Sequence, residues 1–138
     1  MTKSSSVNVV TVVAAALIRD SGEILLTQRP VGKSMAGLWE FPGGKLEAGE
    51  TPEQALVREL REELSVSIDP GALEPLTFAS HSYESFHLLM PLYICREWAG
   101  SISPLEKQAT AWVTPAQLTD YPMPPADLPL IPLLQRGP

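Results

Sequence analysis

The chain has 138 residues, of which 44% are hydrophobic and 19% are charged. This length suits one domain with its own hydrophobic core, and the composition excludes a disordered chain and a collagen-like fibre. The net charge of −6 argues against a surface that coats nucleic-acid polymers, because such surfaces depend on clustered Lys and Arg.

No apolar run reaches the roughly 18 residues that indicate a membrane span, so no membrane contact is expected. The single cysteine, Cys95, has no partner for a disulfide, which is typical of a reducing compartment. We therefore expect a cytoplasmic protein. We also expect a single domain over residues 1–138, present as a monomer or a weak homodimer.

Apolar runs separated by turn residues indicate strands at the start of the chain. Pro42, Gly43 and Gly44 then break regular structure and allow unusual backbone angles. The predicted elements before this break are a long buried strand over residues 7–19, a turn at 20–22, the hairpin partner of that strand over 23–28, a loop over 30–36 and a short strand over 38–41.

The clearest helix begins at Thr51, with Pro52 at the first helical position and Gln54 placed for a capping box. An apolar residue then recurs at every fourth position, so we expect a buried stripe and a helix end near Leu64. The stripe consists of Leu56, Leu60 and Leu64.

The second half of the chain predicts three more strands, near residues 73–80, 86–96 and 109–113, and a short helix from Thr114-Pro115. Residues 121–132 are too rich in proline for regular structure before about Leu130. The elements together predict an α+β or α/β layered domain, in which a mixed sheet carries a helix on at least one face.

Three glutamates share one face of the predicted helix. With about 100° per residue, Glu62 and Glu63 lie on either side of Glu59 within an arc of about 100°. Like charges four residues apart cost about 0.2–0.5 kcal/mol per pair, and Mg²⁺, which prefers oxygen ligands, would remove this repulsion. Arg58 can hold a carboxylate from a neighbouring arc. The alternative is a solvated acidic face with an ordinary salt bridge to Arg58.

The spacing around these glutamates decides between the two interpretations. It reads Gly44, five residues, Glu50, seven residues, Arg58-Glu59, two residues, Glu62-Glu63. Six fixed positions of this kind occur by chance at about one start in ten million. This spacing is the Nudix box, and the chain resembles the Nudix family, and its MutT-like branch in particular, over nearly its whole length. Further similarity lies at Gln28-Arg29, at residues 37–45 and at Pro125-Ala126-Asp127.

The resemblance implies an α/β/α sandwich with a mixed sheet and a catalytic loop–helix–loop. It implies that Glu59, Glu62 and Glu63 bind Mg²⁺, with Mn²⁺ as a substitute, and that the Gly44 backbone is a further ligand. Glu106 matches a later acidic residue that assists metal or water in this branch, and its alternative is a solvated turn residue. The residues that brace the loop and orient the carboxylates would be Glu50 and Arg58.

The chain departs from the family pattern in two places. The box normally ends in glycine and an apolar residue, whereas Ser65 here precedes Val66, so the helix must stop without the usual left-handed glycine. Close relatives can also carry a basic residue in the hairpin at residues 83–87, whereas this chain has Glu84-Ser85-Phe86. This departure argues against a phosphate contact from that hairpin.

The resemblance further implies that water attacks an inner phosphorus of a nucleoside triphosphate and releases the monophosphate and pyrophosphate. Either Glu59 or Glu106 can remove the proton of that water, and the sequence does not choose between them. A non-catalytic nucleotide sensor on the same fold is the alternative from another class. The complete glutamate set argues against it, because a sensor has no need of a full metal site.

A base pocket is expected to be an apolar slot with few polar groups. Its predicted residues are Tyr83 or Phe78 for stacking, Phe41 on the loop strand, Arg29 for phosphate or base, and Asp127 for the base edge. Each aromatic has core packing as its alternative.

MutT carries an amide residue at the position of Asp127, suited to an oxidised guanine. An ionised aspartate only accepts hydrogen bonds, which favours N–H groups such as the exocyclic amine of cytosine or guanine unless Asp127 is protonated. Two substrate classes are therefore alternatives: oxidised purine triphosphates such as 8-oxo-dGTP, which the loop motif favours, and CTP or modified pyrimidine triphosphates.

Overall fold

The computed structural model describes residues 7–106 and 108–137, and the single domain stays a prediction. No helix in the described ranges has both the length and the apolar character needed to cross a membrane.

The strands are β1 (Val9–Leu17), β2 (Ile24–Gln28), β3 (Trp39–Glu40), β4 (Gly43–Lys45), β5 (Leu73–Ser82), β6 (His87–Cys95) and β7 (Thr110–Val113). The α-helices are α1 (Pro52–Leu64) and α2 (Ile131–Gln135), and the 3-10 helices are Pro70–Ala72, Pro115–Asp120 and Leu128–Leu130.

The strands form two sheets. The larger sheet has the order β4-β1-β6-β5, in which β1 and β6 are parallel and the other pairs are antiparallel. The smaller sheet, β3-β2-β7, is antiparallel throughout. The mixed sheet predicted from the sequence is therefore confirmed, and a second sheet accompanies it.

The predicted hairpin between the first two strands is wrong, although its turn forms. Gly22 adopts a positive φ of 90° and its amide donates to the Arg19 carbonyl at 2.8 Å. A single bridge, Ile18 to Ile24, links the two strands before they enter different sheets. Both strands are buried over most of their length, so each requires strand neighbours of its own and cover on both faces.

Side chains of β1 alternate between two hydrophobic clusters on opposite faces of the sheet. Val13, Ala15 and Leu17 pack with the leucine stripe of α1. Ala14 and Ala16 pack with the helices near the C terminus. The strands thus lie between α1 and the C-terminal helices, which confirms the predicted α/β/α sandwich.

The local signals of α1 are confirmed at both ends. The Thr51 hydroxyl accepts from the Gln54 amide at 3.1 Å, and the Gln54 side chain accepts from the Thr51 amide at 2.9 Å. The helix ends at Leu64, and Ser65 itself adopts the left-handed conformation, with φ 63° and ψ 31°. The serine amide donates to the Arg61 carbonyl at 3.0 Å. A residue with a side chain therefore occupies a conformation that favours glycine.

We expect Ser65→Gly to raise the free energy of unfolding by about 0.5–1 kcal/mol. Glycine removes the steric cost of the left-handed conformation, and its greater freedom in the unfolded chain offsets part of that gain. Urea unfolding followed by circular dichroism measures the change. Ser67→Gly is the matched control: Ser67 has no positive φ and bridges Ala99, so its replacement should destabilise the protein. Equal losses in both variants would contradict the argument.

Candidate active site

The strand β4 carries two adjacent glycines, pairs with β1 and faces α1. Gly43 and Gly44 pair with Ala14 and Val13, and a Cβ on Gly43 would overlap the Val13 carbonyl oxygen and the Ala14 Cα. A Cβ on Gly44 would instead overlap the carboxyl group of Glu59. The two glycines therefore serve different purposes. Gly43 allows β4 to approach β1, and Gly44 leaves room beside the Glu59 carboxylate.

Arg58 holds the loop between β4 and α1 against α1. Its Nε and Nη2 donate to the two carboxylate oxygens of Glu50 at 2.6 and 3.0 Å, and Nη2 also donates to the Lys45 carbonyl at 3.1 Å. Its Nη1 donates to Glu59 at 3.2 Å and to Glu62 at 3.3 Å. The hydrogen bonds from Arg58 lower the pKa of Glu50 and those to Glu50 raise the pKa of Arg58, so both groups stay charged.

The carboxylates of the helix differ in their surroundings. Burial raises the pKa of Glu59 and, more strongly, that of Glu63, which reaches about 8. The carboxylates of Glu40, Glu59 and Glu106 add to the shift of Glu63. Glu62, in contrast, has 59% of its side chain exposed. Negative charge on this face is thus incompletely compensated, and a cation placed here would favour the ionised forms.

The loop between β6 and β7 brings two more residues to this face. The Leu105 amide donates to the Glu63 carbonyl at 2.9 Å, which satisfies one of the free carbonyls at the end of α1. Glu106 and Gln108 follow directly, and both line the same cleft as the helix glutamates. The sequence predicted Glu106 by family position alone and did not predict Gln108.

The acidic cleft has a volume of about 230 Å³. Among the residues that the structure describes, the cations of the cleft are Arg29 and Lys33. Lys33 is a second residue that the sequence did not predict, because a lysine in a loop follows no periodic pattern. The lining residues that the argument uses are Arg29, Lys33, Gly44, Glu59, Glu62, Glu63, Glu106 and Gln108.

A second cleft, of about 350 Å³, adjoins the first and is lined by Tyr83, Phe86 and Asp127, among others. Arg29 and Glu40 line both clefts. Arg29 Nη1 donates to the two Glu40 carboxylate oxygens at 3.2 and 3.1 Å. This ion pair is therefore the wall between the acidic cleft and the second cleft.

Asp127 is only 4% exposed at the second cleft. Burial raises its pKa to about 7, the nearby charge of Glu40 adds to the rise, and a backbone hydrogen bond from Phe41 opposes it. Tyr83 stacks on Phe86 at 5.2 Å, and its hydroxyl accepts from the Ala126 amide at 3.1 Å. Tyr83 thus lines the cleft and also fixes the backbone beside Asp127.

The structure does not bring two of the aromatic residues predicted for the base pocket to either cleft. Phe41 is 4% exposed and packs in the hydrophobic core, as its alternative interpretation had it. Phe78 is 63% exposed and lines a separate apolar groove with Pro91 and Tyr93. The alternation of β5 explains the position of Phe78: Ala79 packs in the hydrophobic cluster beneath the C-terminal helices, and Phe78 therefore faces the opposite side of the sheet.

The donors of the acidic cleft suit a hard divalent cation. They are carboxylate oxygens and the Gly44 backbone, which Mg²⁺ and Mn²⁺ prefer, and the missing side chain of Gly44 leaves space beside Glu59. Within the described ranges no three acidic, His or Cys side chains converge as they stand. Arg58 draws Glu59 and Glu62 toward itself, so rotation of these flexible carboxylates must accompany ion binding.

The two adjacent glycines provide a matched test of this geometry. We expect Gly43→Ala to destabilise the fold by about 1–3 kcal/mol, because its methyl group meets strand backbone. Gly44→Ala should leave urea unfolding nearly unchanged, because its methyl group meets only the end of the Glu59 side chain. It should instead weaken Mn²⁺ binding, measured by calorimetry, by about tenfold or more. Unchanged Mn²⁺ affinity in a folded Gly44→Ala variant would contradict the placement of the ion.

The chain is similar to proteins of known activity over most of its length. A model of the NUDIX domain matches residues 13–133. The CTP pyrophosphohydrolase of Escherichia coli (strain K12) is 43% identical over 121 residues, or 86% of this chain and 87% of that protein. The 8-oxo-dGTP diphosphatase of the same strain is 37% identical over 125 residues, or 90% and 95%. The solution structure of the E. coli ORF135 protein matches with a TM-score of 0.82 and 37% identity over 94% and 91% of the two chains. Because the family model and these relatives span most of the sequence, the chain belongs to the Nudix hydrolase family.

Proposed function

We propose that this protein hydrolyses a nucleoside triphosphate to the monophosphate and pyrophosphate. The observation that carries the proposal is the pair of adjoining clefts, one acidic and one with aromatic walls, that share the Arg29–Glu40 pair. A triphosphate with its cation fits the chemistry of the first cleft, and a base fits that of the second. The names of the relatives, CTP pyrophosphohydrolase and 8-oxo-dGTP diphosphatase, support the same reaction.

The helix glutamates, with Glu106 and the Gly44 carbonyl, would hold Mg²⁺ or Mn²⁺. When bound, the cation neutralises phosphate charge and lowers the pKa of a bound water. Arg58 ties the loop that follows β4 to α1 through Glu50, so the Gly44 backbone stays beside Glu59 when the helix carboxylates rotate toward the cation. Glu59 and Glu106 are the two candidates to accept the proton of the attacking water, since both line the cleft.

For the base we propose an oxidised purine, as in 8-oxo-dGTP, with cytosine as the second candidate. A pKa of about 7 leaves Asp127 partly protonated at neutral pH. A protonated carboxyl group both donates and accepts, as an amide does, and so matches the adjacent O6 acceptor and N7–H donor of 8-oxoguanine. The same group matches N3 and the exocyclic amine of cytosine. The 43% identity to a CTP pyrophosphohydrolase supports this second candidate, and the 37% identity to an 8-oxo-dGTP diphosphatase supports the first.

The reaction and the base are tested together by comparing kcat/KM for 8-oxo-dGTP, dGTP, CTP and 5-methyl-dCTP with Mg²⁺. We expect pyrophosphate release from all active substrates, and the highest kcat/KM with 8-oxo-dGTP. A preference for the cytosine nucleotides would replace the first candidate by the second. No turnover with any nucleotide would leave a sensor as the better proposal.

Glu62→Gln separates the chemistry from the fold in the same assay. We expect it to abolish turnover, because a neutral amide replaces a metal-binding carboxylate, while urea unfolding stays close to wild type because Glu62 is largely exposed. Glu84→Gln, an exposed change on the β5–β6 hairpin, is the matched control and should keep full activity. Near-normal rates in Glu62→Gln would contradict the assignment.

Asp127→Asn should change stability in a pH-dependent way. Burial raises the folded-state pKa of Asp127 to about 7, whereas the unfolded chain ionises this group from about pH 4. The free energy of unfolding of the wild type therefore falls as pH increases from about 4 to about 7. The variant lacks this ionisable group, so its stability relative to wild type should be greater at pH 8 than at pH 5. Urea unfolding at both values measures this, and Asp120→Asn, an exposed change, is the control. A difference that does not depend on pH would contradict the burial of an ionisable group here.

Asp127→Asn should also alter base preference with little effect on Mn²⁺ binding, because Asp127 lies at the second cleft and not at the acidic one.

We also propose a cytoplasmic location, where nucleoside triphosphates occur. The buried free thiol of Cys95 is in keeping with a reducing compartment.

A further inference from the structure

Gln108 is a buried amide in the acidic cleft. It is 7% exposed, and the other polar or charged residues that are buried in the described part of the chain are Thr27 and Asp127. Its Nε2 donates to Glu63 Oε1 at 3.5 Å. Its Oε1 has no hydrogen-bond partner among the residues that the structure describes.

The backbone around Gln108 is fixed on two sides. The Leu105 amide donates to the Glu63 carbonyl, and the Gln28 amide donates to the Ala109 carbonyl at 2.9 Å. The loop is therefore tied to α1 before Gln108 and to β2 after it. Gln108 is thereby held between the helix carboxylates and the strand that leads to Arg29.

Stability alone does not explain a glutamine at this position. A buried amide oxygen without a partner destabilises a fold, and native proteins contain few such atoms. A methionine or leucine would fill similar volume without that cost. Groups of this kind are retained where a ligand, an ion or a water completes their hydrogen bonds.

We propose that Gln108 is a positioning residue: its amide nitrogen orients the Glu63 carboxylate for cation binding, and its oxygen accepts a hydrogen bond from water in the occupied cleft. This rests on the proposed function, since it assigns Glu63 to a cation. Outer partners of metal-binding carboxylates set the orientation of their ligands, and their loss weakens affinity or activity by about 10–100-fold. Gln108 acts through Glu63 and need not touch the phosphates.

The test compares Gln108→Met with wild type in two measurements that do not involve turnover. Urea unfolding without metal should show equal or greater stability, because the unpartnered oxygen is removed. Mn²⁺ binding without nucleotide, followed by electron paramagnetic resonance, should weaken by about tenfold or more. Gln135→Met is the matched control: Gln135 donates to the Pro115 carbonyl outside the cleft, so its replacement should leave Mn²⁺ binding unchanged.

A third measurement, steady-state kinetics, should show a lower kcat with a smaller change in KM. Gln108→Met that loses stability and keeps wild-type Mn²⁺ affinity would overturn the proposal in favour of simple packing, and Gln108→Leu repeats the comparison if the methionine variant does not fold. Wild-type protein that binds no Mn²⁺ would overturn the proposed function instead, and this assignment with it.

Discussion

The ion pair between Arg58 and Glu50 is the contact on which the acidic cleft depends. The guanidinium joins the loop that follows β4 to the face of α1 that carries the glutamates, and it donates to Glu59 and Glu62 as well. Without it, repulsion between carboxylates would push the loop and the helix apart. The guanidinium of Arg58 thus keeps several carboxylates close together and leaves part of their negative charge uncompensated.

The fold supplies the two supports that this arrangement needs. Alternate side chains of β1 pack against α1 on one face and against the C-terminal helices on the other, so a single strand fixes both layers. β4, which carries Gly43 and Gly44, pairs with β1, and this pairing places Gly44 beside Glu59. The β6–β7 loop then closes the cleft from the C-terminal end of α1. The site therefore draws on distant parts of the chain that a common core holds in place.

Local features of the sequence could be predicted, and features that depend on distant contacts could not. The capping box at Thr51, the leucine stripe and the arc of glutamates follow from helix geometry within a few residues. The separation of β1 and β2 into two sheets depends on which strands compete for their edges, and a short turn between apolar runs does not reveal it. The outward face of Phe78 depends on strand register, and the buried amide of Gln108 depends on how its loop packs against α1.

The wall formed by Arg29 and Glu40 has a consequence for how substrates are distinguished. This pair borders both clefts. Under the proposed function, a base that fits poorly would therefore displace side chains that also face the triphosphate. A poor fit of the base would then shift the reacting phosphate as well as the base itself. Under the proposed function, selection among nucleotides would therefore occur in the transition state as well as on binding, so that an abundant nucleotide that still binds would be hydrolysed slowly.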